Sequence, residues 1–168
     1  MPLRSFLLAA VLLPVTPWAA PCPWLDPKVA AEVILTPPTE VTVVKNPVTG
    51  TTAGMTASTT CFFKGASEGV GQLSVNVMEF SSEAAAKGAY EAELKSQGSR
   101  AKPAKLDGAP AFFTMTPGFS GGSFALKGTR VVFVSHVFSA RVKASMEKDP
   151  DGEVLSTHDI ARRVLTKL

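Results

Sequence analysis

The chain has 168 residues, 45% of them hydrophobic and 18% charged, with a formal net charge of +3. That balance excludes a disordered polar chain and fits one domain built around a single core. Apart from the short run Arg100, Lys102, Lys105, the basic residues are scattered, so nothing resembles the clustered patch that nucleic-acid binding needs.

Residues 1–20 read as a signal peptide. Arg4 supplies the positive start, "FLLAAVLLPV" the short apolar run, and "TPWAA" the cleavage region. The run is interrupted by Pro14 and covers about half of the roughly 20 residues a membrane helix requires. Cleavage is placed after Ala20, although Trp18 is bulky for its position; cleavage after Ala19 puts Pro17 there instead. No later stretch is long and apolar enough to span a membrane once the signal is removed. The expectation is a periplasmic or secreted protein whose residues 21–168 form one domain.

Two cysteines remain after export, Cys22 and Cys61. A lipid anchor on Cys22 is one reading, but Ala19, Ala20 and Pro21 before it make a poor lipidation signal, with no leucine and a proline next to the cysteine. In an oxidising compartment two cysteines allow one intramolecular pairing. Closing a loop of about 40 residues contributes roughly 4 kcal/mol in the chain-entropy model. The disulfide is therefore the expected state. No CxxC points to redox chemistry.

The first predicted element is the helix "DPKVAAEVIL", capped by Asp26 with Pro27 at its first position and ended by Pro37 and Pro38. Strands follow at 40–45, 57–64 and 72–80. In the last of these, Leu73, Val75 and Val77 alternate with Ser74 and Asn76. A second helix runs from the Ser81/Ser82 cap to Gly98, with Ala86, Ala89, Tyr90 and Leu94 on one stripe and Gly88 placed for close packing on a sheet. "AKPAKL" is an edge strand because of Pro103. Strands at 111–116 and 123–128 flank the loop "PGFSGG". Residues 130–142 read as one long central strand, apolar on both faces. After the turn "KDPDGE", the chain closes with the helix "STHDIARRVLTKL", striped by Ile160, Ala161, Val164, Leu165 and Leu168. The expected fold is α+β, a mainly antiparallel sheet of about six strands with helices packed on one face, in the order α-βββ-α-βββ(β)-α.

No motif specifies a reaction. His136 lies among Val132, Val134 and Phe138, the setting of a structural histidine, and His158 falls in the first turn of the last helix as an exposed or capping residue. Neither has the spacing of a metal site, and no cofactor is expected. Ser120 in "GFSGG" lacks the nucleophile-elbow spacing, "DPDGE" lacks the calcium-loop pattern, and the pairs Glu91/Glu93 and Glu79/Glu83 have no catalytic placement. The candidate binding loop is the turn around Gly118, Phe119 and Ser120. An aromatic ring at a glycine-rich tip either folds back on its own sheet or awaits a partner.

The stretches "CPWLDPKVAAEVI", "TTCFF", "SSEAAAKGAYEAEL", "GSFALKGTRVVFVSHV" and "IARRVLTKL" together resemble a broad group of small bacterial cell-envelope proteins, many of them lipoproteins. Some of these are similar to the extracellular sensor domains of actinobacterial receptor kinases. The resemblance implies a bridged cysteine pair, an envelope location and no attached reaction. This chain departs from the group in lacking a lipobox and in having "LDGAPAFF" where a Gly-Leu-Gly-Asp run is common. The functional expectation is a non-catalytic binding or interaction module of the bacterial envelope, recognising an envelope protein or a small ligand. A structural accessory protein without a pocket is the alternative, and a hydrolase comes third.

Overall fold

The computed structural model describes residues 21–47, 53–65, 71–148 and 152–168; the predicted signal segment lies outside them. Helix α1 (Pro27–Ile34) begins where Asp26 accepts a hydrogen bond from the Lys28 amide at 2.7 Å, and it ends at Leu35 in a left-handed conformation. Strands β1 (Pro38–Pro47), β2 (Met55–Gly65) and β3 (Gln72–Phe80) form an antiparallel meander. Helix α2 (Glu83–Gln97) is capped by Ser82, whose hydroxyl accepts from the Ala85 amide. A second meander follows: β4 (Lys102–Leu106), β5 (Ala109–Thr116), β6 (Ser120–Lys127) and β7 (Arg130–Val137). The short helix α3 (Ala140–Met146) and helix α4 (Gly152–Thr166) complete the chain.

The two meanders join along β3 and β7 into one antiparallel sheet in the order β1-β2-β3-β7-β6-β5-β4. Strand β7 is central, as its apolar character on both faces requires. Strand β4 forms one edge, where Pro103 costs no ladder hydrogen bond, and β1 forms the other, beginning and ending on a proline. The β4–β5 turn is the dipeptide Asp107–Gly108 with both φ angles positive, 50° and 85°. That is the pattern two-residue hairpins favour, because its twist matches the strands.

The sheet has seven strands among the described residues, against an expectation of about six, because the edge strand at Pro103 forms and fills the optional place in the βββ(β) order. The helices do not share one face. Helices α1 and α4 bury Ala30, Val33, Ile34, Ile160, Ala161, Val164 and Leu165 against Cys61, Phe63, Leu73, Val75, Val77, Val132 and Val134. Helix α2 buries Ala86 and Tyr90 against Phe80, Phe112, Phe124 and Val131 on the opposite face. Connectivity explains the difference. The chain must pass from β3 to the far edge strand β4, and it does so through α2, on the face that α1 and α4 leave open.

Two element boundaries also move, and one packing expectation changes. The stretch 130–142 is a strand only to Val137. Ser139 then starts α3, accepting from the Val142 amide through its hydroxyl at 3.2 Å and from the Lys143 amide through its carbonyl at 2.9 Å. Helix α4 begins at Gly152, inside what reads as a turn. Gly88 faces solvent, with open space where a Cβ would stand, so it does not mediate packing on the sheet.

Candidate functional site

Cys22 and Cys61 are joined by a disulfide, with their Cα atoms 5.7 Å apart and a sequence separation of 39. Both are buried. The bond ties the segment leading into α1 to the middle of β2, beneath the face that α1 and α4 cover. Such a bond fits an oxidising compartment.

The histidines lie on that same face. His136 is fully buried with its ring edge-on to Phe138, centroids 5.3 Å apart, and burial pushes its pKa down to about 4. His158 is half-buried rather than exposed, because the first turns of α4 press onto β6. Its Nδ1 lies 2.6 Å from Ser123 Oγ, and its ring meets Phe113 edge-on. The same Ser123 Oγ lies 3.0 Å from Thr157 Oγ1, so one hydroxyl bridges two consecutive residues of α4. Ser123 is also completely enclosed. Burial, and secondarily the Arg162 guanidinium, lower the pKa of His158 against the opposing effect of Asp159. This arrangement clamps α4 to the sheet.

The candidate loop is the β5–β6 turn. Gly118 has φ 66°, the Phe119 amide donates to the Thr116 carbonyl, and the Phe119 carbonyl accepts from the Phe138 amide at 2.8 Å. Both backbone groups are thus used in holding the turn, while the ring points outward and is 58% exposed. It does not fold back on its own sheet. Ser120 is the first residue of β6 and pairs with Val137.

The feature least visible in the sequence is on the α2 face. Four rings form a ladder across the second meander. Tyr90 tilts against Phe112 at 5.4 Å, Phe112 stacks on Phe124 at 4.6 Å, and Phe124 stacks on Phe133 at 4.2 Å. Phe133 ends the ladder half-buried, and its register partner on β3 is Asn76. Beyond it the face turns polar: Ser58, Thr60, Ser74, Asn76 and Ser135 are all half-buried, with Phe62 past them on β2. Ser58 donates to the Asn76 side-chain oxygen at 2.9 Å. Helix α2 packs on β3, β7 and β6, leaving these hydroxyl and amide groups beside it. The alternation in β3 signals this face, since Ser74 and Asn76 oppose the buried Leu73, Val75 and Val77. The placement of α2 decides which part of it stays open.

Among the described residues no group of three or more His, Cys, Asp or Glu side chains is placed to hold a metal ion, and no helix is long and apolar enough to cross a membrane.

Fold and site define a class: a disulfide-stapled α+β domain with a seven-stranded antiparallel sheet between unequal helical layers. Its fold is similar to that of the extracellular domain of PknH from Mycobacterium tuberculosis, with a TM-score of 0.59 over 86% of this chain and 92% of that domain, at 8% identity. In sequence the chain matches no family model and no curated relative.

Proposed function

We propose that the chain is an exported, non-catalytic recognition module that engages its ligand or partner on the open part of the α2 face. The observation that carries this reading is the run of half-buried hydroxyl and amide groups, Ser58, Thr60, Ser74, Asn76 and Ser135, set between the rings of Phe62 and Phe133. Polar groups bracketed by aromatic surface on a rigid sheet provide both orientation and contact area for a ligand. The disulfide and the fold shared with an extracellular domain support the exported location. The non-catalytic reading is supported by the complete enclosure of Ser123 beside His158. Phe119, exposed at the end of the adjoining β5–β6 turn, offers a second contact to a partner larger than the open patch.

The test is chemical-shift mapping of the isotope-labelled protein titrated with fractionated cell-envelope extract. The expected result is a set of saturable shifts at Thr60, Ser74 and Asn76 that the blocking substitution Ser74→Trp abolishes. Shifts confined to the α1/α4 face, or none with any fraction, would overturn the reading.

A further inference from the structure

At the β1 corner of the α2 face lies a small hollow of about 280 Å3, lined by Glu40, Thr42, Val44, Phe62, Lys64 and Gln72. The register explains why these side chains meet. Glu40 pairs with Lys64, Thr42 with Phe62, and Lys64 in turn with Gln72, so all six project from the same side of three adjacent strands. Directly opposed residues on antiparallel strands have Cβ atoms about 5 Å apart, well within reach of an ion pair. Yet among the described ion pairs none joins Glu40 to Lys64. Glu40 is held sideways instead: the Thr42 hydroxyl donates to its Oε1 at 3.0 Å. One carboxylate and one ammonium thus stand at the rim of the same hollow, over the half-buried Phe62 ring and Val44.

We infer that this hollow binds a small zwitterion of the amino-acid type, a free apolar amino acid or a dipeptide. The ligand's ammonium is taken by Glu40 and its carboxylate by Lys64, each through a charge-assisted hydrogen bond. Its apolar side chain rests on Phe62 and Val44, and the Gln72 amide, able to donate and accept, lies beside the backbone of the ligand. A simple cation or anion satisfies only one of the two charges and leaves the other beside it unmatched. The volume matches a molecule of amino-acid size and lies just below the range of drug-sized pockets. This inference rests on the proposal that the α2 face is the recognition face, and it names the ligand class for one corner of it.

The experiment is a titration of the labelled protein with leucine, with leucyl-leucine and with N-acetyl-leucinamide, which has the same side chain and no charges. Expected are saturable shifts at Thr42, Phe62, Lys64 and Gln72 with leucine or its dipeptide, the tighter of the two identifying the source. The capped compound should bind at least about tenfold more weakly. Glu40→Gln and Lys64→Met should each weaken binding by about tenfold or more. The exchange Glu40→Lys with Lys64→Glu should restore it, because a zwitterion can turn end for end. Equal binding of the capped compound, or a double exchange no better than the single variants, overturns the inference. If envelope fractions move Ser74 and Asn76 while neither zwitterion moves Thr42 or Lys64, the ligand class is wrong and the recognition face stands. Silence in both titrations removes both.

Discussion

The Nδ1 atom of His158 on α4 lies 2.6 Å from the Oγ of Ser123 on β6, and the same Oγ lies 3.0 Å from the hydroxyl of Thr157, one residue before that histidine. A single enclosed hydroxyl therefore holds two consecutive residues of the terminal helix. His136, two strand positions beyond Val134, is buried on the same face. Both of the chain's histidines are consequently tied to how the α4 side of the sheet is closed.

Acid should loosen this face. Burial lowers the pKa of folded His136 to about 4, against an ordinary value of 6.5. Between those values the unfolded chain holds a proton that the folded chain does not, so stability increases with pH across this window. The contribution is fully present above pH 6.5 and is lost as pH falls toward 4, about 3 kcal/mol in all. His158, lowered mainly by burial, acts in the same direction. Urea unfolding at pH 7 and pH 4.5 should show a lower midpoint in acid, and His136→Gln should remove most of that difference. An undiminished difference in the variant would assign the effect to other groups.

The disulfide should account for a large share of the stability. A domain of this size is stable by about 5–15 kcal/mol, and constraining a 39-residue separation in the unfolded chain contributes about 4 kcal/mol in the entropic model. Replacing both cysteines by alanine should therefore cost about 2–5 kcal/mol in denaturant unfolding. A loss below 1 kcal/mol would show that α1 is held by its apolar face alone.

Two phenylalanines of the second meander should behave oppositely. Phe124 lies between Phe112 and Phe133 and is buried, so Phe124→Ala should cost about 3–5 kcal/mol. Phe119 is 58% exposed, and its turn is held by backbone hydrogen bonds that alanine keeps, so Phe119→Ala should change stability by less than about 0.5 kcal/mol. Thermal melts of the two variants check this directly. A Phe119→Ala variant as destabilised as Phe124→Ala would mean that the ring packs in solution.

Local chemistry was legible from the residues alone. The Asp26–Pro27 start of α1, the Ser82 cap of α2, the Pro103 edge strand and the alternation of Leu73, Val75 and Val77 all depend on neighbours a few positions away, and the structure contains each of them. The Asp107–Gly108 hairpin was equally local, and its signal stood in the sequence as a dipeptide ready for two positive φ angles. The Cys22–Cys61 pairing followed from there being two cysteines and one way to join them.

What only tertiary structure decided is which face each element covers. An amphipathic stripe says that a helix has a buried side, and it carries no information about which side of a sheet receives it. The route from β3 to the far edge at β4 sent α2 to the face opposite α1 and α4, which stacked four rings and left Ser74, Asn76 and Phe62 beside them. The meeting of Ser123 with His158, 35 positions apart, and of Glu40 with Lys64 across a hairpin, likewise depended on docking and register. Periodicity is set by neighbours along the chain, whereas a site is assembled from residues that only the closed fold brings together.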